Sequence, residues 1–415
     1  MKSLSVLFIN RVYPPDDGAT GQLLADLARN LVQRGHRVTI VTSQAPAGSG
    51  SPAATDGIQV ERVRVLRLNR TSHWRRAMAY MSVYPALLWR VLRLPRADVV
   101  VTMTDPPLLV SLGPVLKWIK GCRLVHWAQD VYPEVAEELG VLPKGGAIAT
   151  FCSRLSTWAA LRNEKIIVVG RCMKERLLQR GLPAHNIHVV PNWTHAAHPV
   201  QSADNSFRTE HHLENRWIVM YSGNLGLAHP FDAILDAAAR LDASDPEILF
   251  LIVGAGPRLA DVRRGAEARA LNNVRFLPAQ PPGNLARSLG AADLHLACMQ
   301  ENLCGLVVPS KVYGILGAGR PCVFLGPRAC EAARIIEESQ CGTVIDSRDG
   351  LGLAQSIADW KSNAERLRDA GRRAEQAAGK FSQEKAASAF HDILLQAAEE
   401  GTALALQHTA SSTQA

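Results

Sequence analysis

The chain has 415 residues, 47% of them apolar and 20% charged, with a net charge of +8 and eight cysteines. These proportions exclude a disordered or fibrous chain and leave room for two ordinary domains, each with its own core. The longest uncharged apolar stretches, around 77–89 and 108–116, are too short to span a bilayer, and the cysteines lack CxxC or zinc-like spacing, as in a reduced cytoplasmic protein.

The start, MKSLSVLFIN, passes directly into a strand-like run without the architecture of a secretion leader. Residues 4–9 predict a strand, the loop YPPDDGATG follows, and a helix is expected over 22–34 with Leu24, Leu27 and Leu31 on one face. Gly35 stops it and 37–42 returns as a second strand, completing a βαβ unit. Gly18 and Gly21 between strand and helix either let the backbone approach a ligand closely or simply make a tight turn. The dinucleotide fingerprint GxGxxG is absent here.

Residues 44–57, rich in Pro, Gly, Ser and Ala, read as a loop. Between Glu61 and Arg96 stand nine arginines against one acid, an excess equal to that of the whole chain. The basicity therefore belongs to one local surface. Buried strands are expected at 97–103, 122–127, 165–169 and 187–190, with helices between several of them, which implies a parallel sheet. The first domain so defined covers 1–195, and the polar, aperiodic stretch 196–216 reads as a linker.

A second alternating series occupies 217–380. Its first strand leads into Ser222-Gly-Asn-Leu-Gly226 and its second into Gly254-Ala-Gly256-Pro257. The chain then reaches GLVVPSKVYGILGAGRPCVFLG at 305–326, a loop, a short helix and a buried strand. Ser310 is expected as N-cap, and Val312, Ile315 and Leu316 point one face inward. Lys311 puts a full positive charge in the first turn, where the helix dipole disfavours it; an anion such as a diphosphate would resolve the conflict, and an ordinary surface lysine is the alternative. Residues 381–400 read as a helix that can return to the first domain, and 401–415 as a disordered tail.

Together YPPDDGATGQ, DVYPE at 130–134, VVPNW at 189–193, YSGNLG at 221–226, LIVGAGP at 251–257, NVRFLPAQPP at 273–282 and VPSKVYGILGAGRP at 308–321 resemble the glycosyltransferases of family 4. Within that family the chain looks like the branch that builds polysaccharides or O-antigens. The resemblance implies an α/β fold of two Rossmann-like doubly wound domains facing across a cleft (GT-B). It implies a retaining hexosyltransferase that uses a nucleotide-diphosphate sugar as substrate, with no cofactor and no obligatory metal. The acceptor it suggests is a saccharide on a polyprenyl diphosphate.

The resemblance places Gly18, Gly21, Gly223, Asn224, Gly254, Gly256, Ser310, Lys311 and Val312 around the donor phosphates. It places Phe276 to Gln280 beside the base. Two features depart from the family's pattern. Gly314 and Leu306 stand where many members carry a glutamate pair, the second of which holds the ribose, and Glu301 lies off that register. Asn224 and His229 occupy the approximate places of an arginine and a lysine.

Transfer requires the diphosphate to leave as the sugar becomes oxocarbenium-like, so stabilising the leaving charge is the main task, and Lys311 is the candidate for it. Asp130 and Glu134, four apart, are candidates to face one way on a helical turn and orient or deprotonate the acceptor; otherwise Asp130 caps a helix and Glu134 is solvated. His126 reads as a satisfied near-core histidine. Trp74, Arg75, Arg76, Trp89, Arg90 and Arg93 form a basic, aromatic stretch interrupted by Pro85. It suits the anionic inner face of the plasma membrane better than nucleic acid, or else it packs on the first domain. A nucleotide-sugar epimerase of the same architecture is the other enzyme reading.

Overall fold

The computed structural model describes residues 3–16, 18–43, 57–65, 73–193 and 205–412, and the chain divides into two compact units. The first takes the chain up to Pro191 together with everything from Gln383 on; the second takes Asn192–Ser382.

In the first unit the elements run β1 (Ser5–Ile9), α1 (Ala19–Gln33), β2 (Arg37–Ser43), β3 (Gln59–Val63), α2 (His73–Arg93), β4 (Val99–Thr102) and α3 (Leu112–Lys120). They continue β5 (Arg123–Ala128), α4 (Glu134–Glu138), α5 (Ala147–Ala160), β6 (Lys165–Val168), α6 (Arg171–Gln179) and β7 (Ile187–Val189). The seven strands are all parallel in the order β3-β2-β1-β4-β5-β6-β7. Strand order reverses between β1 and β4, which leaves a crevice beyond their carboxyl ends.

The second unit opens with α7 (Ser206–Glu210) and β8 (Trp217–Ser222), then α8 (Asp232–Ser244), β9 (Ile248–Val253), α9 (Leu259–Ala268) and β10 (Val274–Leu277). α10 (Leu285–Gly290), β11 (Leu294–Cys298), α11 (Lys311–Gly317), β12 (Cys322–Leu325), α12 (Glu331–Ser339) and β13 (Gly342–Ile345) follow. α13 (Gly350–Ser362) and α14 (Ala364–Ala378) close it. Its parallel sheet has the order β10-β9-β8-β11-β12-β13, so its crevice lies between β8 and β11. All six residues of β9 are buried, as a central strand covered on both faces requires.

The last helix, α15 (Gln383–Ser412), packs on α1, β4 and β5 of the first unit. Phe390 is fully buried there, its ring 6.4 Å from that of Phe8 and edge-on to Trp127 at 4.9 Å.

The structure corrects four sequence expectations. The stretch 196–216 is not simply a linker: Phe207 and Leu213 are buried with Ile218, Met220, Leu249 and Leu251, and Asn205 caps α7 by accepting from Phe207 N–H. Two apolar residues six apart were enough to seat a segment whose polar side chains find partners, such as Arg208 on Asp293 at 2.7 Å. Residues 194–204 lie outside the described residues. Pro85 does not split its stretch, since α2 is one helix of 21 residues; Pro85 is exposed while Val83, Leu87 and Val91 face the core. α15 runs on to Ser412, where a disordered tail was expected, through a segment of strong helix formers such as Ala403, Leu404 and Ala405. Finally β3 is an unforeseen edge strand, whose charged sequence QVERV hides its period.

Candidate functional site

In the second unit, the loops leaving β8 and β9 are interlocked. Gly223 N–H donates to Val253 O (2.9 Å), Gly254 N–H to Leu277 O (3.0 Å) and Leu225 N–H to Ala255 O (2.8 Å). Gly254 and Gly256 have φ of 151° and 150°, and a Cβ on them would lie 2.0 Å from Gly223 O and 2.5 Å from Leu225 O. No side chain fits at either position, so the sequence's glycines are demanded by the two loops' mutual approach.

Lys311, the first residue of α11, lies across this floor: a Cβ on Gly223 would meet its Cε at 2.7 Å. Its ammonium sits 5.1 Å over the Tyr221 ring and 3.1 Å from His229 Nε2. No carboxylate pairs with it among the described residues. Burial pushes it down to about 8. A buried cation without a counter-ion is costly, and an anionic ligand would remove the cost. His229 is itself held down to about 3 by burial and by Lys311.

The other donor-side candidates divide. Asn224 is exposed at the loop tip, and its carbonyl accepts from the Tyr221 hydroxyl at 2.8 Å. Ser310 is exposed and takes the N-cap position without any side-chain capping bond, contrary to expectation. Val312 is only 1% exposed, so its side chain belongs to the core and only its backbone can face a ligand. Phe276 ends near the exit of β10 under the Arg263 guanidinium at 4.8 Å, and Gln280 donates to Pro278 O at 3.0 Å. A Cβ on Gly314 would meet nothing closer than 3.4 Å. Leu306 is buried, and Glu301 is exposed in a single helical turn.

In the first unit, α1 begins at Ala19, so Gly21 lies in its first turn. A Cβ on Gly18 would come 2.8 Å from Val12 Cγ1, and one on Gly21 3.1 Å from Val12 O. These glycines therefore accommodate the loop's own Val12. Beside them Arg11 bridges β1 to the exit of β4 through a two-point ion pair with Asp105, 2.7 and 2.9 Å. The Arg11 guanidinium also lies 5.3 Å over the Tyr80 ring. Sequence reasoning missed both residues of this pair; the signal available was an arginine ending one strand and an Asp-Pro-Pro following another.

Asp130 leaves β5 and lines a cavity with His126, Tyr132, Ser156 and Arg180. Burial, with a smaller push from Asp105, raises its carboxyl to about 6. The expected helical turn shared with Glu134 is not formed, because α4 starts only at Glu134. Glu134 pairs instead with Arg180 at 3.4 Å, and Arg180 also donates to Thr157 Oγ1 at 2.9 Å. His126 is buried with its Nδ1 3.0 Å from Thr102 O and 3.1 Å from Thr102 Oγ1, and it is held down to about 4 by burial.

The basic stretch is partly engaged. Arg90 pairs with Glu61 at 2.6 Å, and Arg93 stacks 4.2 Å over the exposed Trp89. The side chains of Trp74, Arg75 and Arg76 lie outside the described residues. More apolar surface stands on α3 and α5, which touch each other. α5 buries Ala149, Ala159 and Ala160 and exposes Ile148, Phe151 and Trp158, while on α3 Trp118 is 86% exposed. No helix among the described residues is long and apolar enough to cross a membrane.

Two family models match this chain. A glycosyl transferase 4-like domain matches residues 18–193, and glycosyl transferases group 1 matches 202–377. The chain is 26% identical over 316 residues to the probable glycosyltransferase WbjE of Pseudomonas aeruginosa, covering 75% of this chain and 78% of that protein. It is 25% identical over 357 residues to WcaI of Escherichia coli K12, named for colanic acid biosynthesis, covering 80% and 86%. Among solved structures, HepE of Anabaena, crystallised with UDP, superposes with a TM-score of 0.73 over 95% of this chain and 100% of its own, at 16% identity.

Proposed function

The chain belongs to the family 4, group 1 glycosyltransferases of GT-B fold that act in polysaccharide biosynthesis, and from that premise we propose that it is a retaining enzyme using a UDP-sugar donor and a saccharide acceptor on a polyprenyl diphosphate. The observation that carries the donor side is Lys311, a buried lysine without a carboxylate partner, set across the interlocked glycine loops. UDP is the chosen nucleotide because HepE was crystallised with UDP and with UDP-glucose.

As the bond from the anomeric carbon to the diphosphate oxygen breaks, the electron pair leaves with the diphosphate. Lys311 and the glycine-loop floor stabilise that charge where it develops. The acceptor hydroxyl attacks the anomeric carbon and gives up its proton, and Asp130, whose raised carboxyl is tuned toward neutral pH, is the group proposed to take it. Arg11 and Asp105 hold the neighbouring loops in place.

The acceptor's lipid calls for a membrane surface, and the outward apolar residues of α3 and α5 support one. A helix that turns alanines inward and Ile148, Phe151 and Trp158 outward buries less than it exposes. Arg154, exposed on α5, complements an anionic inner leaflet, whereas Lys117 is already paired with Glu164 at 2.6 Å and Lys120 donates to Leu94 O.

The test is ligand-induced thermal stabilisation with UDP, GDP and dTDP, followed by product analysis with the preferred donor. Stabilisation by UDP and an axial-to-axial or equatorial-to-equatorial anomeric outcome support the reading. Inversion, or donor turnover without any acceptor, overturns it.

A further inference from the structure

The turn after β8 fixes the hydrogen on His229. Gly226 N–H donates to His229 Nδ1 at 3.1 Å, so Nδ1 carries the lone pair and the neutral ring carries its hydrogen on Nε2. Yet Nε2 lies 3.1 Å from Lys311 Nζ. An ammonium has three donors and no acceptor. With a charged Lys311, either ring tautomer therefore sets two donors against each other: Nε2–H against Nζ, or Nδ1–H against Gly226 N–H. A neutral amine removes the conflict, because its lone pair accepts from Nε2–H.

We propose that, in the empty donor site under alkaline conditions, Lys311 is an amine accepting from His229, and that an arriving diphosphate draws one proton onto Nζ so that Nζ and Nε2–H both donate to its oxygens. This rests on the donor-site reading above and adds His229 to it as a second ligand of the phosphates. The proton comes from solvent and adds to the nitrogen lone pair; no other bond changes.

The groups around Lys311 leave the proton nowhere else to go. From β8, the Tyr221 hydroxyl is pushed above its usual range by burial and already donates to Asn224 O. From β11, burial pushes the Cys298 thiol up to about 12. Ahead of α9, the Arg258 guanidinium donates to His229 O at 2.8 Å. His229 titrates far below neutrality, at about 3, and Lys311 at about 8. Lys311 is thus the facing group that changes charge between pH 8 and pH 9.

The test is titration calorimetry of UDP into the full chain, in two buffers of widely different ionisation enthalpy. A phosphate's last ionisation lies near 6, so above pH 8 the diphosphate itself is fully ionised, and uptake is read as the excess over Lys311→Met, which cancels any proton exchanged by the uracil N3–H. Uptake of about 0.9 proton per UDP at pH 9, falling to about half a proton at pH 8, is expected. Lys311→Met should bind more weakly and lose that uptake. His229→Ala should weaken UDP binding about tenfold, and His229→Gln, which can present an amide N–H near the Nε2 position, should recover part of it. UDP binding without uptake at pH 9, uptake that persists in Lys311→Met, or unchanged affinity in His229→Ala each overturns the proposal. A chain that does not bind UDP at all instead overturns the donor-site reading beneath it.

Discussion

Arg11 and Asp105 grip each other at two points, 2.7 and 2.9 Å, across 94 residues of sequence. Asp105 is also the charge that pushes Asp130 upward after burial, so Arg11 moderates that push. Removing Arg11 leaves Asp105 uncompensated. Arg11→Ala should therefore shift the acid limb of kcat/KM above its wild-type position near pH 6, as a pH–rate profile would reveal. A limb that stays in place would dissociate Asp105 from the chemistry.

Asp130 should be needed for turnover and costly for stability. Asp130→Asn is expected to lower kcat by about 10²–10⁴ and to abolish the limb near pH 6. The folded carboxyl, at about 6, binds its proton more tightly than the unfolded one, near 3.9. Its contribution to stability is complete below the unfolded value and is lost as pH rises through about 6. The Asn variant should thus unfold at higher urea than wild type at pH 7, and the difference should vanish near pH 4. A variant less stable at pH 7 would contradict this.

The two parallel sheets and the glycine loops were legible because they depend on local signals: β-branched runs, glycine stops and helical spacing. The position of Lys311 at a helix start, beside Ser310, was legible for the same reason. The Arg11–Asp105 pair was not, since only the fold joins loops so far apart. Nor could spacing reveal that Glu134 turns to Arg180, or that Phe207 and Leu213 anchor a polar stretch. The outward face of α5 was not legible either. Periodicity says which residues share a helix face, but not that alanines face inward while Phe151 and Trp158 face water.

That inversion makes α3 and α5, more than the arginines of α2, the surface that should meet lipid. Trp118→Ser with Phe151→Ser should reduce co-sedimentation with anionic vesicles several-fold. Arg90→Gln with Arg93→Gln should do less, because Glu61 and Trp89 already engage those side chains. Equal binding by wild type and the Trp118/Phe151 double variant would exclude α3 and α5 as the contact.

The return of α15 to the first unit should be worth measuring directly. Phe390 is fully buried against Phe8 and Trp127. Phe390→Ala should cost about 3–5 kcal/mol in urea unfolding, as cavity-forming losses of a buried phenylalanine do. A loss below about 1 kcal/mol would mean that the helix contributes little to that core.

The most direct measurement on the donor reading compares turnover and donor affinity in Lys311→Ala. A charge-assisted bond that strengthens as the diphosphate leaves is worth about 1.5–3 kcal/mol. Turnover should then fall by about one to two powers of ten while the donor's Kd rises by less. Lys311→Arg should recover only part of the rate, because a planar guanidinium cannot replace a compact ammonium packed against Gly223 and Tyr221. Wild-type turnover in Lys311→Ala, at saturating donor, would contradict the assignment of Lys311 to the leaving diphosphate.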